Sequence, residues 1–394
     1  MTRLLILLAA WLVAACASAP PAALPAPPWH DEAFAPPAAP VRSDDVFALS
    51  DEMRTWLHTR GAASMRRKGP QKGLLDALYA GDDLKLAYDA SRTRNAAEAF
   101  ASRAGNCLSL VIMTAAFARE VGLQVEFQSA FADETWTRSG GLYFRSGHVN
   151  VTLSRKAVDA GRLGAADHTL WTVDFVPPEE IRGLRTRSIT QTDVLAMYLN
   201  NRAAEALAAG RIDDAYAWSR EAVHTQPALL AARNTLGVIY QRRGLAAAAE
   251  QVFRQVLALD ERHTRAMHNL AQLVAEQGRD AEAAALRTRL AQLEPEPPFH
   301  FFDLGQQAMR DGDYRAAREF FAREVARADY SAEFHYWLGL AQYKLGELDA
   351  ARRQLALARA YSATPREQEI YAAKLAWLKQ HAAEPAGSKD RRTQ

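Results

Sequence analysis

The chain has 394 residues, which at roughly 100–200 residues per domain means two or three domains. Apolar residues make up 49% and charged residues 24%, which excludes wholesale disorder and a polytopic membrane protein. Forty-eight Lys and Arg against 46 Asp and Glu leave a net charge of +2, so nothing in the balance calls for nucleic acid. Two cysteines exclude a disulfide framework and a cysteine-rich zinc fold.

Residues 1–15 read as a cleavable signal peptide. Arg3 supplies the positive start and Leu4 to Val13 the apolar run, which is too short to span a bilayer permanently. Val13-Ala14-Ala15-Cys16 resembles the bacterial lipobox. That resemblance implies cleavage before Cys16, a lipid on its sulfur and a membrane anchor. Ala17, standing where an inner-membrane retention signal would place Asp, implies the outer membrane, facing the periplasm. A plain secretory signal with Cys16 incidental is the other reading. Residues 16–41 are rich in Ala and Pro and are expected as an extended tether. With Cys16 acylated, Cys107 has no partner within the chain.

Residues 42–195 form the first predicted domain. Helices are expected in 45–59 and 72–81, with a basic loop between them at Arg66, Arg67, Lys68 and Lys72. Thr93 or Asn95 starts a helix that runs through Ala104, and Gly105-Asn106 breaks it. A second helix runs from Cys107 to Val121 and stops at Gly122. Cys107 then stands at a helix N-terminus, where free N–H groups and the helix dipole favour a thiolate. Asn106 or Ser109 is the expected cap. Residues 146–154 alternate as a strand, with His148, Asn150 and Thr152 on one face, and residues 170–177 alternate likewise, with Thr172 and Asp174 on one face. If these strands are neighbours, His148 and Asp174 share a polar face beside the Cys107 helix. A thiolate, an imidazole and an orienting carboxylate are the parts of an acyl-transfer triad. Gln128, expected at a strand end, and Asn106 are candidate oxyanion or supporting residues. Trp136, in an expected loop over 132–141, is a candidate lining of the acyl pocket. His168 is a rival base in a Gly/Ala/Asp turn.

Gly105-Asn106-Cys107-Leu108-Ser109, His148-Val149-Asn150-Val151 and Val173-Asp174-Phe175 resemble the matching stretches of the transglutaminase-like cysteine superfamily. The resemblance covers roughly residues 93–177. It implies an α+β papain-like core with catalytic Cys107, His148 and Asp174. Val149-Asn150 stands where many true transglutaminases carry an aromatic residue near their histidine.

The second half is periodic. Gly210, Gly244, Gly278, Gly312 and Gly346 are 34 residues apart. Five positions after each comes Ala215, Ala249, Ala283, Ala317 or Ala351, and seven before each a small residue: Ala203, Gly237, Ala271, Gly305 and Gly339. Residues 234–260 and 336–360 show best the resemblance to tetratricopeptide (TPR) repeats. Five repeats over 196–364, a capping helix over 365–382 and a polar tail over 383–394 are expected, giving an all-α superhelix behind the α+β core. Leu236, Leu270, Leu304 and Leu338 are expected core positions. His224, His263, His268, His300 and His335 show no metal spacing and read as surface or packing residues.

Two functions fit. One is a lipid-anchored cysteine peptidase, amidase or acyltransferase that acts on a polypeptide presented by the repeats, with neither metal nor cofactor; protein crosslinking is its variant. The other is a non-catalytic periplasmic adaptor that recruits protein or peptide partners through the TPR groove.

Overall fold

The computed structural model describes residues 24–80, 84–139, 142–155, 170–173, 175, 185–362 and 364–381. Cys16, His168 and Asp174 lie outside the described residues, as does the tail over 383–394.

Helix α1 (Asp51–Trp56) opens on Ser50, whose hydroxyl accepts from the Met53 amide at 3.2 Å. It continues through a π-helical stretch, Leu57–Gly61, into α2 (Ala62–Lys68). Arg66, Arg67 and Lys68, expected in a loop, are the last turn of α2, where cations oppose the negative end of the helix dipole. Helix α3 (Pro70–Leu75) follows Gly69, which sits at φ +81° and lets the chain double back.

Strand β1 (Ala87–Tyr88) pairs in parallel with β2 (Ala104–Gly105), and between them lies α4 (Ala96–Ser102). Asn95 and Glu98 start α4 with a reciprocal capping box. Helix α5 (Cys107–Glu120) is buried from Leu108 through Ala118, all the way round, as befits a central helix. Gly122 ends it.

The sheet that α5 covers has strands β3 (Gln124–Ser139), β4 (Leu142–Ser154), β5 (Trp171–Val173) and β6 (Arg185–Ile189). Their order is β5-β4-β3-β6, all antiparallel. Residues 132–139, expected in a loop, are the far half of a long hairpin, where Thr135 pairs with Ser146 and Trp136 with Arg145. Three β-formers, Thr135, Trp136 and Thr137, favour the extended backbone there. Gln128, expected at a strand end, is mid-strand, opposite Asn150 on one side and Ser188 on the other. Phe127, Val149, Val151 and Leu153 join α5 in one apolar core.

Helix α6 (Gln191–Ala208) spans the expected boundary at 195/196 without interruption. Its Val194, Tyr198 and Leu199 belong to the core of the first domain, whereas Ala206 belongs to the next. Then come α7 (Ile212–Thr225), α8 (Leu230–Arg243), α9 (Ala246–Leu259), α10 (Thr264–Glu276), α11 (Asp280–Leu293), α12 (His300–Asp311), α13 (Tyr314–Arg327), α14 (Ala332–Lys344), α15 (Leu348–Ala360) and α16 (Pro365–His381). From α6 to α15 they form five hairpins, and α16 caps the last. The small positions of the sequence period lie where paired helices cross. A Cβ on Gly237 would sit 2.4 Å from Phe253 Cε1, and one on Gly305 2.6 Å from Phe321 Cε1. Glycine is the only side chain that lets each buried ring seat there.

One expected core position differs. Leu236, Leu270 and Leu338 are buried, but Leu304 is 39% exposed. Pro297 and Pro298 occupy what would be the first turn of α12, and Phe299 is left-handed at φ 65°. The helix therefore begins at His300, two residues behind the period set by Leu230, Thr264 and Ala332. The apolar cluster of the first three repeats reaches Ala283, and a separate one starts at Phe299. Phe301 and Phe302 bury in place of Leu304.

Residues 24–40, expected to stand free as a tether, lie along the first two repeats. A short 3-10 turn, Asp31–Ala33, shapes the segment, and Trp29 and Phe34 pack on apolar residues of the repeats.

Candidate functional site

Two places in the structure are candidates for function, one around Cys107 and one on the repeats. Cys107 is a free, partly exposed thiol at the first position of α5. Asn106 caps that helix: its Oδ1 accepts from the Ser109 amide at 2.9 Å and from Ser109 Oγ at 2.8 Å, while its Nδ2 donates to Thr93 Oγ1 at 2.9 Å. The Arg94 amide donates to Ser109 Oγ at 2.8 Å. Helix α6 reaches into the same network, with Glu205 Oε1 accepting from the Thr93 amide at 2.6 Å and Asn201 Nδ2 donating to Thr93 Oγ1 at 3.3 Å. Burial pushes the Glu205 carboxyl up, against the pull of the Thr93 hydrogen bonds and Arg202. Nearby, Asp89 accepts from Ser91 N, Ser91 Oγ and Arg94 Nη2. Burial raises the Asp89 carboxyl, but these donors outweigh it and hold it below the usual carboxylate range.

The strand that carries His148 is β4, with His148 opposite Ala130 of β3. The expected neighbour relation of residues 146–154 and 170–177 exists over Val151 to Leu153, and Thr152 and Thr172 share a hydrogen bond of 2.9 Å between their hydroxyls. Val149, Val151 and Leu153 are the residues that share a core with α5, so the parity of Asn150 and Thr152 is not the one against the Cys107 helix. A register shift lies between Ala130 and Thr135 of β3, directly beside His148, and such irregularities re-aim the strand locally. The asparagine expected as an oxyanion or support residue thus serves as a helix cap. Trp136 is placed in the distal hairpin by its backbone pairing with Arg145.

The second site was not read from the sequence. Residues 25–38 cross α7, α8 and α9 in a path that is open on either side of the single 3-10 turn at Asp31–Ala33. Phe34 stacks on Tyr216 with ring centroids 3.9 Å apart and Trp29 on His224 at 4.7 Å. The guanidiniums of Arg243 and Arg220 lie over Phe34 and Trp29 at 5.2 and 5.8 Å. Asp31 accepts from Tyr216 OH at 2.7 Å and pairs with Arg220 at 3.1 Å. The main chain of the segment is held as well. Arg233 Nη1 donates to Pro25 O at 2.8 Å, Tyr240 OH to Pro28 O at 2.6 Å and Arg243 Nε to Ala33 O at 2.7 Å. The amides of Ala35 and Ala38 donate to Asp213 and Asp214 at 3.0 and 2.8 Å. Burial pushes the Tyr240 phenol up to about 12.

The repeat histidines serve in packing and capping. His335 Nδ1 and Nε2 lie 2.6 Å from Gln354 Oε1 and Asp329 O, and His263 Nδ1 accepts from the Ala266 amide at 3.2 Å. Burial lowers the His268 imidazole. Among the described residues no group of three or more His, Cys, Asp or Glu is arranged to hold a metal ion, and no helix is long and apolar enough to cross a membrane.

The 34-residue helix hairpins and their cap make the C-terminal half a TPR-like superhelix, preceded by a small antiparallel sheet packed on helices. No protein-family model matches the chain, and no curated protein matches it. Among solved structures, PilF of Pseudomonas aeruginosa is 22% identical, covering 49% of this chain and 90% of its own, with a TM-score of 0.29. A thermophilic TPR protein of Thermus thermophilus is 19% identical over 46% of this chain and 99% of its own, with a TM-score of 0.30. YrrB, described as a TPR protein with an unusual peptide-binding site, is 17% identical over 45% and 92%, with a TM-score of 0.25. Likenesses of this size add nothing on function to what the helix geometry gives.

Proposed function

We propose that this chain is an interaction scaffold whose TPR superhelix binds protein or peptide partners. The observation that carries the reading is the extended segment 25–38, which the first two repeats grip by both its rings and its main chain. Surfaces that hold main-chain groups through fixed side chains accept extended peptides generally. Lipid on Cys16 would anchor the scaffold to the outer membrane, facing the periplasm, and Cys16→Ser would then move the chain to the soluble fraction. Photo-crosslinking amino acids at Leu259, Leu304 and Leu357, the exposed aliphatic residues of the repeats, test the scaffold reading in cells. Discrete protein adducts are expected; bare monomer at all three positions would refute it.

A second reading rests on the partly exposed Cys107 thiol at a capped helix N-terminus. The Asn106 side chain takes the Ser109 amide, and the other N–H groups of the first turn would stabilise a thiolate and an acyl oxyanion. In this reading Cys107 attacks a carboxamide or peptide carbonyl, His148 carries the proton to the leaving amine and Asp174 orients the imidazole. Water resolves the thioester in a peptidase or amidase; an amine resolves it in a crosslinking enzyme. Neither metal nor cofactor enters. Iodoacetamide should then label Cys107 faster than free cysteine at neutral pH, and His148→Ala should slow it. Slow labelling insensitive to His148 leaves the scaffold alone.

A further inference from the structure

The segment 25–38 is held like a ligand rather than like a core strand. Among its described side chains only Pro27 is buried; the rest lie half-covered or exposed on the repeat surface. With the segment in place, two of its receptor side chains, Tyr240 and Arg233, are buried, whereas Arg220 and Arg243 remain exposed at the rim. Tyr240 is fully buried, and Arg233 is 1% exposed, with Nε on Pro227 O and Nη1 on Pro25 O. Burying a guanidinium is costly unless acceptors meet it, and one of its acceptors is a carbonyl of the docked segment. Prolines offer no N–H, so this surface takes the segment at Pro25 and Pro28 through their carbonyls. It takes the non-proline residues Ala35 and Ala38 through their amides, with Asp213 and Asp214. Four side chains of the segment supply the rest: two aromatic rings five residues apart, Trp29 and Phe34, and between them the His30 ring, edge-on to Tyr240 at 5.6 Å, and the carboxylate of Asp31.

We propose that the seam of the first two repeats is an exchangeable peptide site, that residues 25–38 are its resident occupant, and that its partner is an extended, proline-bearing segment of another protein with two aromatic residues five apart and an acidic residue between them. This rests on the scaffold reading and names the chemistry that reading left open. A segment joined in cis acts at an effective concentration of about millimolar. The resident segment therefore sets a threshold that an incoming peptide must exceed, and anything that frees the segment raises the apparent affinity of the site.

The test uses the full chain and a fluorescent peptide of residues 24–40. Trp29→Ala with Phe34→Ala removes both stacking contacts and releases the resident segment. Fluorescence anisotropy should show the peptide binding this double variant at least about tenfold more tightly than the wild type. Adding Arg243→Ala should weaken that binding, because Arg243 holds both Ala33 O and the Phe34 ring. Tyr216→Phe, which removes only a hydroxyl and keeps the ring, should weaken it less, and it guards against a variant that fails to fold. Equal binding to wild type and double variant, or none to either, overturns the proposal. So does a wild-type dimer with exchanged segments in sedimentation, since the occupant is then a second copy. Persisting adducts at Leu259, Leu304 and Leu357 beside a failed peptide assay remove this inference and leave the scaffold; loss of both removes the scaffold too.

Discussion

Gly237→Ala adds one methyl at the most crowded crossing of the repeats. The new Cβ would meet Phe253 Cε1 at 2.4 Å, Cδ1 at 2.8 Å and Cζ at 2.9 Å. Phe253 is fully buried, so its ring has nowhere to swing. Overpacking of this kind costs about 1–3 kcal/mol. Alanine recovers about 1 kcal/mol of helix propensity in α8. Because the Phe253 ring cannot move away, the clash outweighs the gain, leaving a net loss of up to about 2 kcal/mol. Gly339→Ala provides the contrast at an equivalent crossing. There the nearest atoms are Gln354 Cβ at 3.2 Å and Ala351 O at 3.3 Å, a contact that small shifts relieve, so the loss should be smaller. Urea unfolding followed by circular dichroism reads both, and hydrogen exchange localises the loss to α8 and α9, because repeat arrays need not unfold in one step. Phe253→Leu in the Gly237→Ala background should recover part of the loss, giving a favourable coupling in a double-mutant cycle. A Gly237→Ala variant as stable as the wild type, or stabilised by the full propensity gain, would refute this account of why glycine stands there.

Leu304→Gln should change stability by less than about 0.5 kcal/mol, as exposed positions do, whereas Leu270→Ala, in the buried equivalent, should lose about 2–5 kcal/mol; thermal denaturation distinguishes them. Asp89 has a depressed folded pKa, so its contribution is present above its unfolded value of about 3.9 and is lost as pH falls through the folded value. Asp89→Asn should thus be less stable than wild type at neutral pH, with the difference shrinking below about pH 4 in a pH series of urea melts.

The parts of the molecule legible in the sequence are those fixed by neighbours in the chain. The 34-residue period is written in glycines that end helices and in the small residues where helices cross. The start of α5 is written in Asn106, whose cap lies three residues away. Position 304 shows the limit of periodicity. Its leucine keeps the repeat, and Gly305 beside it keeps its crossing with Phe321, but the apolar cores of the third and fourth repeats are separate and Leu304 belongs to neither, whereas Phe301 and Phe302 are buried. The hairpin over 132–139 was hidden by its polar residues, which cross-strand pairing accommodates. The docked segment was hidden altogether. Its Ala and Pro content gives no sign of a partner, and its hydrogen bonds reach residues 185 and 212 positions away. The alternation in β4 was legible, but the face it turns to α5 was not, because that depends on which strand residues the helix covers.

The central claim, that the repeats hold an extended peptide, is tested most directly by amide hydrogen exchange across residues 25–38 of the full chain. The account predicts that the amides of Ala33, Phe34, Ala35 and Ala38, which donate to His30 O, Asp31 O, Asp213 and Asp214, exchange at least about tenfold more slowly than in a free peptide. It further predicts that Asp213→Ala with Asp214→Ala speeds the last two. Exchange of all four at free-peptide rates in the wild type would contradict it.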